Sequence, residues 1–463
     1  MFGKYENRLY SEIEKESHLE SLLTDLGERN LYDAVSQCNR CGYCETACPT
    51  YACTWRETIS ARGRNQAVRM LIEGKIKNAA ETAESVFTCL LCGACSSVCY
   101  AKVPTPDNVL EARRNAISRN KNSLVSAGMR MLLENPGIFE VWLKIAYVLK
   151  NLGASKIVSG LQIYEMAGLP ELDAVQQIVR KVPLTFLNET LRKDTALSAE
   201  KTKNAAWAYF AACGPNYLFP KVGTSTVKLL KRFMGNGIFA DNFCCGLLAY
   251  NYESLKNARE FAKQNIRKFE ELKKNNPDVV LVGDCASCVS FMKTYEQLFT
   301  GDEGWRQRAL EFSKSVKDIL EVIKPEQIPL NPPLLKGDTG GFKKDFIITY
   351  HDSCKACHGQ NIRTEPRKVI KKLAGADFRE MDESDWCCGG AGAFAFTHKE
   401  LSSQILQRKI RNIACSQADI VAVGATSCLL HINHGLRMLY PRAKAVHYSV
   451  LIDKLLVSNN DKM

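Results

Sequence analysis

Asp241–Tyr250 reads DNFCCGLLAY, and Asp385–Phe394 reads DWCCGGAGAF. Adjacent cysteines seldom bridge each other, because a disulfide needs a Cα spacing that neighbours in a folded chain rarely adopt. Two such pairs, each followed by glycine, ask for a shared cause. The flanks match as well. Ala205–Gly214 (AAWAYFAACG) and Asp345–Cys354 (DFIITYHDSC) are apolar strand patterns carrying Cys213 and Cys354 at their ends. In both copies a helical stretch follows, then the cysteine pair, then a long amphipathic helix (NAREFAKQNIRKFEELKK; ELSSQILQRKIRNIACSQ) and a second strand (PDVVLVGDCASC; ADIVAVGATSC). This is a duplicated α/β module. The Pro/Gly-rich stretch KPEQIPLNPPLLKGDTGG separates the copies as a linker.

Each cysteine group lies just past a strand or at a strand-to-helix turn. Open parallel sheets bind ligands beyond the carboxyl ends of their strands, so Cys213, Cys244, Cys245, Cys285 and Cys288 are expected to converge on one crevice, where Gly246 lets backbone approach a bulky group. Five thiolates are too many for a zinc ion or a cubane and point to a polynuclear metal site. The second copy has Cys354, Cys387, Cys388 and Cys428, with Ala425 where the first has Cys285. Its site is expected to be weaker, altered or empty. Cys357 could replace the missing thiolate, although a spectator thiol is the plainer reading. His351, His358, His431 and His434 surround the same crevice; structural roles are expected for most, with one as ligand or proton donor the sharper alternative. Cys415 falls inside a helix and is expected in the core.

The N-terminal part carries CNRCGYCETACP, which places Cys38, Cys41, Cys44 and Cys48 in the bacterial ferredoxin spacing, and CLLCGACSSVCY, which repeats it with Cys89, Cys92, Cys95 and Cys99. In such pairs of runs the fourth cysteine ligates the other cluster. One 4Fe–4S cubane is therefore expected on Cys38, Cys41, Cys44 and Cys99, and a second on Cys89, Cys92, Cys95 and Cys48. A structural zinc site would not need two complete four-cysteine runs. Tyr100 stands where a proline usually follows the last cysteine. TISARGRNQAVRMLIEGKI between the runs has helical spacing (Val68, Leu71, Ile72, Ile76), so this part reads as helical. Cys53 reads as a packed thiol.

The 463 residues suit two to four domains. No uncharged run reads as a membrane span. Ile138–Lys150 (IFEVWLKIAYVLK) is amphipathic and is expected to be a buried helix rather than one that meets a membrane surface or partner. The opening residues MFGKYENRLYSEIEKESHLE have no apolar core of a secretory signal. Twenty cysteines in a reducing cytoplasm favour metal binding over disulfides. The basic residues behind the net charge of +12 are scattered on helix faces, which argues against nucleic acid and for an acidic partner or an anionic membrane surface. No dinucleotide fingerprint follows a strand, and neither a phosphate-binding lysine loop nor a serine nucleophile elbow is present.

A two-cluster ferredoxin segment followed by two CCG repeats resembles the fused catalytic subunit of heterodisulfide reductase and the iron–sulfur subunit of glycolate oxidase with its lactate-utilisation cousins. The helical first domain is similar to that of fumarate-reductase-type iron–sulfur subunits. The resemblance covers about residues 30–455 and implies an α-helical two-cluster ferredoxin domain followed by two α/β CCG repeats. The expected organisation is a ferredoxin domain over 1–106, a helical connector over 107–201, the first repeat over 202–324, a linker over 325–344 and the second repeat over 345–463. In the heterodisulfide reductases the CCG motif holds a non-cubane 4Fe–4S cluster, so the resemblance implies one on the five cysteines of the first repeat. A second such cluster would fall to the second repeat, whose HDSC and GATSCLLHI segments are closer to the glycolate and lactate relatives. The function implied is an electron-transfer subunit between a flavoprotein that oxidises a 2-hydroxy acid (glycolate or lactate) and a quinone or redox protein. The alternative is reduction of a disulfide at the non-cubane cluster. The expected location is cytoplasmic, or peripheral at the inner face of the membrane beside a quinone-reactive partner.

Overall fold

The computed structural model describes residues 31–76, 79–117, 128, 131–153, 158–159, 170–198, 202, 204–253, 255–328 and 346–457. Most of the linker expected between the repeats, and parts of the connector, lie outside these residues.

The N-terminal part is helical, as its spacing predicts. The Ala61–Ile72 helix starts at Ser60, whose hydroxyl accepts from the Gly63 N–H at 2.9 Å and so satisfies one of the open amides of the first turn. It turns Val68 inward to pack with Leu31, Val35, Val86, Leu91, Val109 and Leu110. The last two come from the Thr105–Ile117 helix. Two arginines are buried among these helices. Arg64 donates to the Ser85 carbonyl (2.7 Å) and to the hydroxyls of Thr50 (3.0 Å) and Thr88 (3.1 Å). Arg113 donates to the carbonyls of Val86 (2.8 Å), Phe87 (3.2 Å) and Cys89.

The first repeat is a parallel four-stranded sheet: β1 (Trp207–Phe210), β2 (Gly237–Phe239), β3 (Val280–Gly283) and β4 (Val316–Asp318), in the spatial order β2-β1-β3-β4. The second is β5 (Ile348–His351), β6 (Ile420–Val423) and β7 (Lys444–His447), also parallel and in that order. A single parallel bridge from Ile348 to Phe378 stands where β2 flanks β1, so the second sheet is the first with one edge reduced to a residue. Long helices, Leu255–Asn275 and Lys399–Cys415, connect the cysteine pairs to β3 and β6. β2 and β4 have only three residues each, and β7 carries Lys444 and His447, so none stands out in the sequence as an apolar run.

The two sheets share one hydrophobic core. The Ala286 N–H donates to the Gly424 carbonyl (3.0 Å), and the Gln360 amide donates to the Ala286 carbonyl (3.2 Å) and the Asp318 carboxylate (2.9 Å). Gly214 lies against Thr426, where an added Cβ would come within 2.2 Å of the hydroxyl.

Two expectations are corrected. The Pro136–Asn151 helix forms, but only one side packs: Phe139 meets Tyr217, Tyr147 meets Phe186, and Lys144 pairs with Glu189. Its other side presents Ile138, Val141, Trp142 (62% exposed), Ile145 and Leu149 to solvent, continued by Leu152. The apolar stripe is wider than its neighbours can cover. Cys415 is also exposed rather than in the core, because it lies on the face of its helix opposite the buried Ile410 and Ile413. Among the described residues no helix is long and apolar enough to cross a membrane.

Gly214→Ala is expected to cost about 1–3 kcal/mol of stability through overpacking against Thr426. Thermal unfolding measures it, and an unchanged midpoint would show that this contact yields easily.

Candidate metal centres

The first repeat gathers its five cysteines. Cys213 follows β1, Cys285 and Cys288 follow β3, and Cys244 and Cys245 come from the loop after β2. Gly246 closes that loop at φ +84°, in the left-handed region that glycine adopts without penalty. Its N–H points at the Cys244 sulfur (3.5 Å). Asn265 on the long helix pins the loop, accepting from the Phe243 N–H (3.0 Å) and donating to the Cys244 carbonyl (2.9 Å). The five sulfurs interact as one set. Contact with Cys244, together with burial, pushes the Cys213 thiol up to about 12. Hydrogen bonds from Cys244 and Cys288 hold Cys245 down at about 6 against burial. Cys285 is likewise held at about 6, by Cys288 and by the Thr426 hydroxyl 3.4 Å away. Thr426 belongs to the second repeat, so the first site is closed by its neighbour.

The second repeat repeats this frame. Gly389 is left-handed at φ +83°, and its N–H points at the Cys387 sulfur (3.4 Å). Cys354 interacts with Cys387, Cys387 with Cys388, and Cys388 lies 3.5 Å from Cys428. Ala425 caps its helix in extended backbone, as Cys285 does in the first repeat (φ −138° against −121°), and brings no sulfur. The histidines separate. His351, Cys388 and Cys428 place ligand atoms within 4.8 Å of one another. His358 bonds Ser97 of the ferredoxin part (2.8 Å), and His431 bonds Ser402 (3.0 Å) with its neighbour His434 stacked beside it. Burial lowers His431 to about 4. Cys357 is buried, with its sulfur directed at the Cys354 carbonyl (3.8 Å) and outside the group that could share a metal. A lysine lies next to this site: Lys409, fully buried, occupies the place of Asn265 and donates to the carbonyls of Glu383 (2.6 Å) and Ser384 (3.1 Å). Burial brings its ammonium down to about 8.

In the ferredoxin part, the left-handed glycines Gly42 and Gly93 turn the two cysteine runs. Burial and the nearby sulfurs of Cys89 and Cys48 push Cys95 up to about 12. Burial and Cys38 do the same to Cys44. Tyr100, beside Cys99, packs its ring 5.6 Å from that of Tyr43, beside Cys44. Cys92 packs in one apolar cluster with Leu90, Trp386, Cys387, Phe394 and Ile405, against which Cys53 and Cys354 also lie. A cavity of about 510 Å³ opens beside it, lined by residues including Cys92, Lys102, Tyr250, Lys355 and His358.

The 4Fe-4S dicluster domain family matches residues 34–103, and the cysteine-rich CCG domain family matches 207–293 and 348–433. The probable glycolate oxidase iron-sulfur subunit of Bacillus subtilis (strain 168) is 28% identical over 460 residues, 94% of this chain and 97% of that protein. The glycolate oxidase iron-sulfur subunit of Escherichia coli (strain K12) is 24% identical over 85% of this chain and 89% of its own. Lactate utilization protein A of Oceanobacillus iheyensis is 30% identical over 245 residues, 53% of this chain and 95% of that protein. The chain belongs to this family of CCG iron–sulfur subunits.

Several residues of this CCG subunit were hidden from sequence reasoning. Arg64 approaches the Cys48 sulfur (3.7 Å), setting a buried positive charge beside a cysteine of the first run. Thr426 and Lys409 act across a repeat boundary and along a helix face. A Thr after a strand and a Lys in an amphipathic helix carry no signal until the fold is known. The converged thiols and the left-handed glycines fit iron–sulfur groups, which need several thiolates and close backbone amides. The crossed assignment of the two runs is expected to show in variants: Cys48→Ser should damage the cluster of Cys89, Cys92 and Cys95. Loss confined to the cluster of Cys38, Cys41 and Cys44 would reverse that assignment.

Proposed function

We propose that this chain is the electron-transfer subunit of a 2-hydroxy-acid oxidase, receiving electrons from a separate flavoprotein that oxidises glycolate or lactate and delivering them to a quinone or redox protein. Iron–sulfur clusters supply one-electron transfer when bound to such thiolates. The ligand sets proposed are those of the two crossed runs, the five cysteines of the first repeat as a non-cubane site, and a second CCG site on Cys354, Cys387, Cys388 and Cys428. The observation that carries the reading is continuity. Cys92 of the second run packs in one cluster with Cys387 and against Cys354, and Thr426, two residues before Cys428, bonds Cys285 of the first repeat. The apolar cluster of Leu90, Trp386, Phe394 and Ile405 and the Thr426 contact hold these cysteines at fixed separations. The names of the relatives favour glycolate or lactate as the donor's substrate.

The complex with its flavoprotein, supplied with the hydroxy acid, tests this reading. Cys244→Ser should bring acceptor reduction down to background while flavin reduction by substrate continues. Unchanged acceptor reduction would remove the first repeat from the path. Anaerobically reconstituted protein should carry about twelve irons or more per chain, against about eight if only the ferredoxin runs are loaded.

The location proposed is peripheral, at the inner membrane face. The exposed stripe around Trp142, on a chain of net charge +12, suits an anionic bilayer surface. Co-sedimentation with phosphatidylserine-containing vesicles should be strong at low salt and weakened several-fold by Trp142→Glu. Equal binding by that variant would direct the site elsewhere.

A further inference from the structure

We infer that His351 is a metal ligand of the second repeat, standing in for the thiolate that Ala425 does not supply, so that this site is a mixed thiolate–imidazole iron site. The inference deepens the reading of the second repeat as an iron–sulfur site and rests on it.

The comparison within the chain carries it. The first repeat ends β1 in Phe210 and begins the helix after β3 with Cys285. The second ends β5 in His351 and begins the helix after β6 with Ala425. At equivalent places a Phe and a Cys are exchanged for a His and an Ala. One donor is lost and one gained, and each repeat keeps five. The gained donor reaches the equivalent partner. Cys285 interacts with Cys288, and His351 lies with Cys428, which holds the place of Cys288, and with Cys388, which holds that of Cys245.

The state of the ring points the same way. His351 is fully buried, and neither of its nitrogens makes a hydrogen bond of good geometry, the Ser384 carbonyl being the backbone acceptor close to the ring. A buried imidazole left unpaired is costly, and proteins retain such groups where a ligand completes them. The neighbouring carbonyl of Ser384 already accepts from the Asp352 N–H (3.0 Å) and from Lys409 (3.1 Å). His431 illustrates the contrast: it is also buried, but one of its nitrogens is engaged by Ser402.

A neutral ligand in place of a thiolate raises the potential of an iron–sulfur centre, as histidine ligation does in Rieske centres. Lys409 in place of Asn265 adds positive charge on the same side. The second site should therefore be the more readily reduced of the two CCG sites.

The test uses the full chain, reconstituted anaerobically with iron and sulfide, and compares protein with ordinary and ¹⁵N-labelled histidine by pulsed electron paramagnetic resonance. A histidine nitrogen coupling that changes with the label is expected in the wild type. His351→Cys should keep its iron, lose that coupling and shift one midpoint potential downward. His351→Ala should lose as much iron as Cys388→Ser, about four per chain. Full iron in His351→Ala with an unchanged spectrum would overturn the inference, as would a nitrogen coupling that persists in His351→Cys. If Cys388→Ser loses no iron while Cys244→Ser does, the second repeat takes none. The inference about His351 then falls, and the assignment of the first repeat stands.

Discussion

Thr426 is wedged where the two repeats meet. Its hydroxyl lies 3.4 Å from the Cys285 sulfur, and its side chain occupies the only space that a Cβ on Gly214 would need. Gly214 directly follows one ligand candidate, and Thr426 lies two residues before another. The repeats therefore cannot slide apart without opening the first site or displacing the second. The Ala286–Gly424 hydrogen bond fixes the same seam through the backbone. This junction makes two small sheets into one body with one core, and it sets the separation between their cysteine groups.

Duplication explains the frame and divergence explains its use. Parallel strands deliver their following loops to the same end of a sheet, so a repeat that places cysteines after strands creates a convergent set. Both copies keep the left-handed glycine after the cysteine pair, because the chain must reverse there with its amide facing sulfur. Away from that turn the copies are free to differ. Asn265 ties down its loop with neutral hydrogen bonds, whereas Lys409 does so with a buried ammonium held by two carbonyls. The same scaffold thus offers two electrostatic settings to two chemically similar sites.

The ferredoxin part docks through its second run. Trp386, next to Cys387, packs in the cluster that holds Cys92, and Arg408 covers the outer face of its ring at 3.9 Å. His358 reaches across to Ser97, and Tyr250 of the first repeat packs under Arg114. These contacts are short-range and specific, so the relative placement of the two parts follows from side-chain packing rather than from a flexible tether.

The sequence by itself determined the chemistry and most of the frame. Cysteine spacing is a local property: three cysteines two residues apart can hold one corner set of a cluster, and the fourth of each run is left for the other cluster. Apolar runs marked β1, β3, β5 and β6, and two matching CCG flanks marked the duplication. Three strands escaped because β2 and β4 have three residues each and β7 is bounded by Lys444 and His447, so none makes a continuous apolar run. Only the tertiary structure decided which side chains beyond the cysteines complete the sites. His351 was one of four histidines near the second group, and nothing in its neighbours along the chain distinguished it. The end of β5 turned it into the core beside Cys388 and Cys428, while His358 and His431 found hydroxyl partners. The exposed stripe of Pro136–Asn151 was likewise a matter of what packs nearby, since amphipathicity states that a helix has an apolar face and leaves open whether the rest of the chain covers it.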